Sequence, residues 1–149
     1  MFEENKPFIK ESRSPEETYE FAKQVAGQAK SGEIYCLCGD LGVGKTVFTK
    51  GFAAGLGITE TVNSPTFTIL QIYEDGRFPL YHFDVYRIAD PYEMDEIGYE
   101  DYFFGNGVCL IEWAELIKEL LPAGCRYIKI SKNLNQGPDF RTIEIRTSE

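Results

Sequence analysis

The sequence predicts an α/β domain in which an open, partly parallel sheet is flanked by helices and carries antiparallel hairpins. Three observations predict it. Ile34 to Cys38, Leu80 to Asp84 and Val108 to Ile111 are short apolar runs with the length and composition of buried strands. Stretches with apolar residues at helical spacing lie between the runs. Near the end, Arg126 to Ser131 and Arg141 to Arg146 alternate apolar and polar residues as half-buried strands do.

The elements follow in chain order. Ser14-Pro15-Glu16-Glu17 starts a helix: a Ser N-cap, Pro at the first helical position and Glu17 placed for a capping box. Tyr19, Phe21, Ala22, Val25, Ala26 and Ala29 then recur at helical spacing up to Gly32. After the strand Ile34 to Cys38 and a glycine-rich turn, a second helix runs from Lys45 through Phe48, Phe52 and Leu56 to about Gly57. Thr66 to Tyr73 alternates, Asp75-Gly76 turns, and Leu80 to Asp84 returns as the second arm of a hairpin. Pro91 to Ile97 reads as a short helix, Gly98 to Phe104 as an acidic, aromatic loop, and Ala114 to Leu121 as a helix ended by Pro122. The two last strands, joined by the polar loop Asn133 to Pro138, are expected to form a hairpin on the sheet edge.

Composition narrows the function classes. A chain of 149 residues, 43% hydrophobic and 26% charged, has the profile of one soluble globular domain, and a single domain over 1–149 is expected. No apolar run approaches the ~18 residues of a spanning helix, and Met1 to Lys6 has no export-signal pattern, so no membrane role and a cytoplasmic location are expected. Cys36, Cys38, Cys109 and Cys125 form no CxxC pair and read as reduced, mostly buried thiols. A net charge of −9 opposes direct contact with a phosphate backbone, so any nucleic-acid role is expected to run through protein partners.

The sharpest motif is Gly39-Asp40-Leu41-Gly42-Val43-Gly44-Lys45-Thr46, which satisfies GxxxxGK[ST] with a strand before it and a helix after it. Glycines let successive backbone N–H groups turn inward around phosphate oxygens, and the helix points its positive end at them. Asp40, Leu41, Gly42, Val43, Gly44, Lys45 and Thr46 are therefore the nucleotide-binding candidates. Lys45 neutralises the β- and γ-phosphates, and the Thr46 hydroxyl is a hard oxygen ligand for Mg²⁺. The fold thus becomes a P-loop NTPase-type sheet. Such sites also need carboxylates at strand ends beside the loop. Asp84 closes one strand and Glu112 another; each is either part of the site or an ordinary strand-end acid facing water.

At this point the chain resembles the TsaE family, also called YjeE, small ATPases of threonylcarbamoyladenosine synthesis on tRNA. The matching pieces are the P-loop, Ser64-Pro65-Thr66-Phe67-Thr68, Tyr81-His82-Phe83-Asp84-Val85-Tyr86-Arg87, Asp101-Tyr102-Phe103 and Ile111-Glu112-Trp113. Val43 and Val85 stand where Ala and Leu are usual, both conservative. The resemblance implies phosphate and Mg²⁺ binding by Lys45 and Thr46, Glu112 as the acidic Mg²⁺ partner, and Asp84 in a Walker-B-like catalytic motif. It also implies a switch-like loop at Ser64-Pro65-Thr66, and TsaB and TsaD homologues as partners through which tRNA is reached. The catalytic candidates are accordingly Asp84, Lys45 and Thr66.

Other residues keep two readings each. Thr66 is a γ-phosphate sensor or a turn entering a strand; His82, between aromatics, is assigned a structural or surface role over catalysis. Trp113 reports on the nucleotide or belongs to the core; Arg87 contacts phosphate or a partner, or pairs with nearby acids. Asp90 to Asp101, interleaved with Tyr92, Tyr99, Tyr102 and Phe103, is a solvated face or a docking surface. Ser14 and Arg141 are the guesses for adenine contacts. An ATPase acting on a larger tRNA-modifying assembly leads; a regulatory ATP-binding module without useful turnover and a small-molecule P-loop kinase are the alternatives. No NKxD segment is present to read guanine.

Overall fold

The computed structural model describes residues 6–40, 42–63, 65 and 68–147. Seven strands form one sheet in the order β1-β7-β6-β2-β5-β4-β3. They are β1 (Phe8–Ser12), β2 (Ile34–Cys38), β3 (Leu70–Tyr73), β4 (Leu80–Asp84), β5 (Val108–Glu112), β6 (Arg126–Lys132) and β7 (Arg141–Thr147). The central strands β6, β2, β5 and β4 run parallel, and antiparallel strands flank them on both sides. The predicted mixed α/β sheet is therefore the observed one. The connection leaving β2 runs toward the β3 edge and the one leaving its parallel neighbour β6 runs toward β7, so the two connections diverge at adjacent strands. The crevice beyond the carboxyl ends of such strands is where open α/β sheets bind ligands.

Period-two alternation divides the sheet residues between two cores. Tyr35, Leu37, Leu80, Leu110, Ile128 and Ile130 pack with α1 (Pro15–Gly27) and α2 (Lys45–Gly55). Ile34, Cys36, Phe83, Cys109 and Ile111 face the other way, under Met94, Tyr99, Phe103 and Ile117. Helix α1 starts as its sequence dictates: the Ser14 hydroxyl accepts the Glu17 N–H at 3.1 Å, and the Glu17 carboxylate reaches back to the Arg13 N–H at 2.8 Å. It packs against α2 at very short range, because a Cβ on Gly51 or Gly55 would lie 2.3 Å from the backbone oxygen of Tyr19 or Lys23.

Several elements depart from the sequence reading. β1 was not legible as a strand; it hydrogen-bonds to β7 along its whole length, so the terminal hairpin is covered instead of forming the edge. Helix α1 stops at Gly27, where the Arg77 guanidinium takes the carbonyls of Ala26 and Ala29. β3 begins at Leu70, and of the expected strand start, Thr66 and Phe67 lie outside the described residues. Pro91–Ile97 and Ala114–Leu120 are 3-10 helices, the second broken at Ile117, and the segment expected as a loop contains α3 (Tyr99–Phe103).

The stretch 91–104 sends three apolar side chains into the core. Met94, Tyr99 and Phe103 are buried, with Phe103 stacked edge-on against Phe83 at 5.4 Å, while Tyr92 and Phe104 stay exposed. Its interleaved acids face water because the apolar partners face the sheet. All four cysteines are free; Cys36, Cys109 and Cys125 are buried, and burial pushes the Cys109 thiol up to about 12. Among the described residues no helix is long and apolar enough to cross a membrane.

Candidate nucleotide site

The P-loop leaves β2 at Cys38 and enters α2 at Lys45. Gly39 sits where only hydrogen fits: a Cβ there would meet the Ile130 backbone oxygen of the neighbouring strand and the Val43 side chain, each at 2.8 Å. Gly44 precedes the helix at φ 104, and no side chain caps α2, which leaves its first N–H groups for an external acceptor. From outside, Arg141 donates to the Val43 carbonyl at 2.8 Å, and buried Val43 pins the loop to the core. Thr46 follows in the first turn, exposed on the side of the loop.

Lys45 is 9% exposed, and its ammonium lies 4.7 Å from the centre of the Trp113 ring. Trp113 holds a left-handed backbone conformation (φ 62), rare for a bulky side chain, just past the end of β5. Tyr86, following β4, packs its ring 4.9 Å from that of Trp113.

Asp84 and Glu112 stand opposite each other in the parallel pairing of β4 with β5. Both alternate onto the α2 side of the sheet, at the same strand ends as the P-loop. Burial, with the negative charge of Glu112 beside it, raises the Asp84 carboxyl above its ordinary range, and its Oδ1 accepts the Tyr86 N–H at 3.1 Å. Glu112 is 8% exposed, and its Oε2 lies 2.9 Å from Nε2 of His82, itself 1% exposed.

These residues suit a hard divalent ion. The Thr46 hydroxyl and the two carboxylates are oxygen donors, and the charge conflict visible at Asp84 is one that a cation relieves. No group of three or more His, Cys, Asp or Glu able to hold a metal occurs among the described residues. An ion held here would complete its shell from hydroxyl, water and phosphate oxygens, the kind of ligand set that suits Mg²⁺.

The structure brings Asp40, Gly42, Val43, Gly44, Lys45, Thr46, Asp84 and Glu112 to one end of the sheet. Leu41, Ser64 and Thr66 lie outside the described residues. Of the adenine guesses, Ser14 is engaged as the α1 N-cap, whereas Arg141 lines a small cavity outside the loop with Pro15, Thr18, Val43, Gly44, Val47 and Asp139. The His82–Glu112 contact, the Trp113 ring on Lys45 and the Arg141 brace were not legible in the sequence. The only signal for the first was His82 and Asp84 sharing one face of a strand.

The model of the family described as threonylcarbamoyl adenosine biosynthesis protein TsaE matches residues 12–142. The chain belongs to the TsaE family. A TsaE of Bacillus subtilis, a tRNA threonylcarbamoyladenosine biosynthesis protein, is 61% identical over 130 residues, 87% of this chain and 79% of its own length. The Treponema pallidum TsaE is 45% identical over 111 residues, covering 74% of this chain and 82% of its own. In fold, the chain is similar to the crystal structure of Bacillus subtilis YdiB, with a TM-score of 0.83 and 46% identity over 97% of this chain and 87% of that one. Families of this name serve threonylcarbamoyladenosine biosynthesis on tRNA.

Proposed function

We propose that this chain binds ATP with Mg²⁺ and hydrolyses it in support of threonylcarbamoyladenosine modification of tRNA, together with TsaB and TsaD homologues in the cytoplasm. The observation that carries the reading is the convergence of an uncapped α2 N-terminus, Lys45 and the Asp84–Glu112 pair at one end of the sheet.

The loop N–H groups and Lys45 bind the phosphates, and Lys45 leaves the Trp113 face to do so. Thr46 and Glu112 would hold the ion, which would supply positive charge to offset the charge of the reacting phosphates. Asp84, whose raised proton affinity suits a group that orients water, positions the nucleophile for attack on the γ-phosphorus. The P–O bond to the β-phosphate breaks, and ADP and phosphate leave. Thr66 would sense the γ-phosphate from the switch-like loop.

Isolated protein is expected to turn over slowly, because no arginine among the site residues described above is placed as a finger, and a finger can add about 10³ to 10⁵ in rate. Calorimetry with ATP, with and without magnesium, tests binding. Phosphate release with and without TsaB and TsaD homologues tests turnover, and an absence of ATP binding rules the reading out.

A further inference from the structure

The buried contact between His82 and Glu112 reaches beyond ATP binding itself. His82 is the single histidine of the chain. It lies in the interior at the middle of β4, between the β3 and β5 strands. Its Nε2 meets Glu112 Oε2 at 2.9 Å, while its Nδ1 is buried and has no hydrogen-bond partner among the described residues. A buried N–H without an acceptor is costly, whereas a lone pair left unused costs less. The proton therefore sits on Nε2, and the ring donates to the carboxylate.

A buried imidazole is an expensive way to fill an apolar slot, since Leu80 and Leu110 occupy comparable places on the same face without cost. What it supplies is a fixed donor to one oxygen of Glu112. We propose that His82 is a positioning residue for the reaction: it holds the Glu112 carboxylate in the rotamer that presents its other oxygen to the Mg²⁺ of bound ATP. This inference rests on the proposed role of Glu112. Partners of this kind that orient a ligating carboxylate contribute about 10- to 100-fold in metal affinity.

Two amide variants separate positioning from packing. In Gln the terminal nitrogen reaches roughly as far as Nε2, and in Asn only as far as Nδ1. By calorimetry across a magnesium series, His82→Asn should raise the magnesium concentration needed for tight ATP binding about 10-fold or more, and His82→Gln should restore most of it. ATP affinity in excess chelator should stay the same in all three proteins. Equal behaviour of the Asn and Gln variants, or an Asn effect that persists in a Glu112→Gln background, overturns the proposal.

A second measurement needs no change at His82. With a single histidine, its ring ¹⁵N resonances are assigned without ambiguity. They should report a proton on Nε2, and they should shift when magnesium is added to the ATP-saturated protein but not in Glu112→Gln. A ring that ignores magnesium in the wild type overturns positioning, even if both variants fail to fold. Wild-type ATP affinity that does not depend on magnesium overturns the metal reading on its own, before any variant is compared.

Discussion

Gly39→Ala tests whether the phosphate loop is held by contact with the sheet. The added methyl would sit 2.8 Å from the Ile130 backbone oxygen and 2.8 Å from Val43 Cγ2. Val43 can rotate, but Ile130 lies in β6, fixed between β2 and β7 by backbone hydrogen bonds. The backbone at Gly39 also has φ 152, which L residues rarely adopt, adding roughly 1–3 kcal/mol of strain. Overpacking adds about 1–3 kcal/mol more, so the total is about 2–6 kcal/mol. At roughly 2–4 °C per kcal/mol for a chain of this size, the melting temperature falls by at least about 4 °C. Gly44→Ala is the control: its φ is 104, but nothing lies within 4 Å of a Cβ there, so only the conformational cost applies. Calorimetric melting of both variants and ATP titration of each decide it. If Gly39→Ala melts no lower than Gly44→Ala, the steric argument is wrong.

Further outcomes follow from the site. Lys45→Ala should weaken ATP binding about 10- to 100-fold, since a charge-assisted hydrogen bond contributes about 1.5–3 kcal/mol, and calorimetry reads it directly. Thr46→Ala and Glu112→Ala should leave metal-free ATP binding in place while flattening its magnesium dependence. Asp84→Asn should lower turnover more than affinity, measured as kcat against the dissociation constant. Its stability effect has a definite sign. The folded Asp84 carboxyl binds its proton more tightly than the unfolded one, so its charge destabilises the fold increasingly as pH rises through the raised value, and not at all below the ordinary carboxylate range. Asp84→Asn should therefore melt higher than wild type at neutral pH in the absence of nucleotide, with the difference vanishing near pH 3.

Much of the site was legible because its chemistry is local in sequence. The P-loop is continuous, and the acids close two apolar runs whose ends a parallel sheet must align. What escaped depends on pairing between distant segments. Phe8–Ser12 carries one partly apolar stripe and becomes a strand through its register with β7 and the stacking of Phe8 on Phe21. Tyr99 and Phe103 read as part of a solvated face or a docking surface until β4 and β5 supply the face that they cover. His82 looked structural because its partner is set by the alignment of β4 with β5, which no local pattern reveals. Trp113 stands over Lys45 through a single left-handed residue at the end of β5, and nothing in the residue types announces that turn.

The central claim is that nucleotide bound at this site is hydrolysed in the service of an assembly. The most direct measurement compares ATP turnover by the chain alone, with tRNA alone, and with TsaB and TsaD homologues present. The account predicts slow turnover alone, no gain from tRNA, whose backbone a net charge of −9 repels, and a marked gain with the two proteins. Full activity in isolation, or stimulation by tRNA without those proteins, would contradict it.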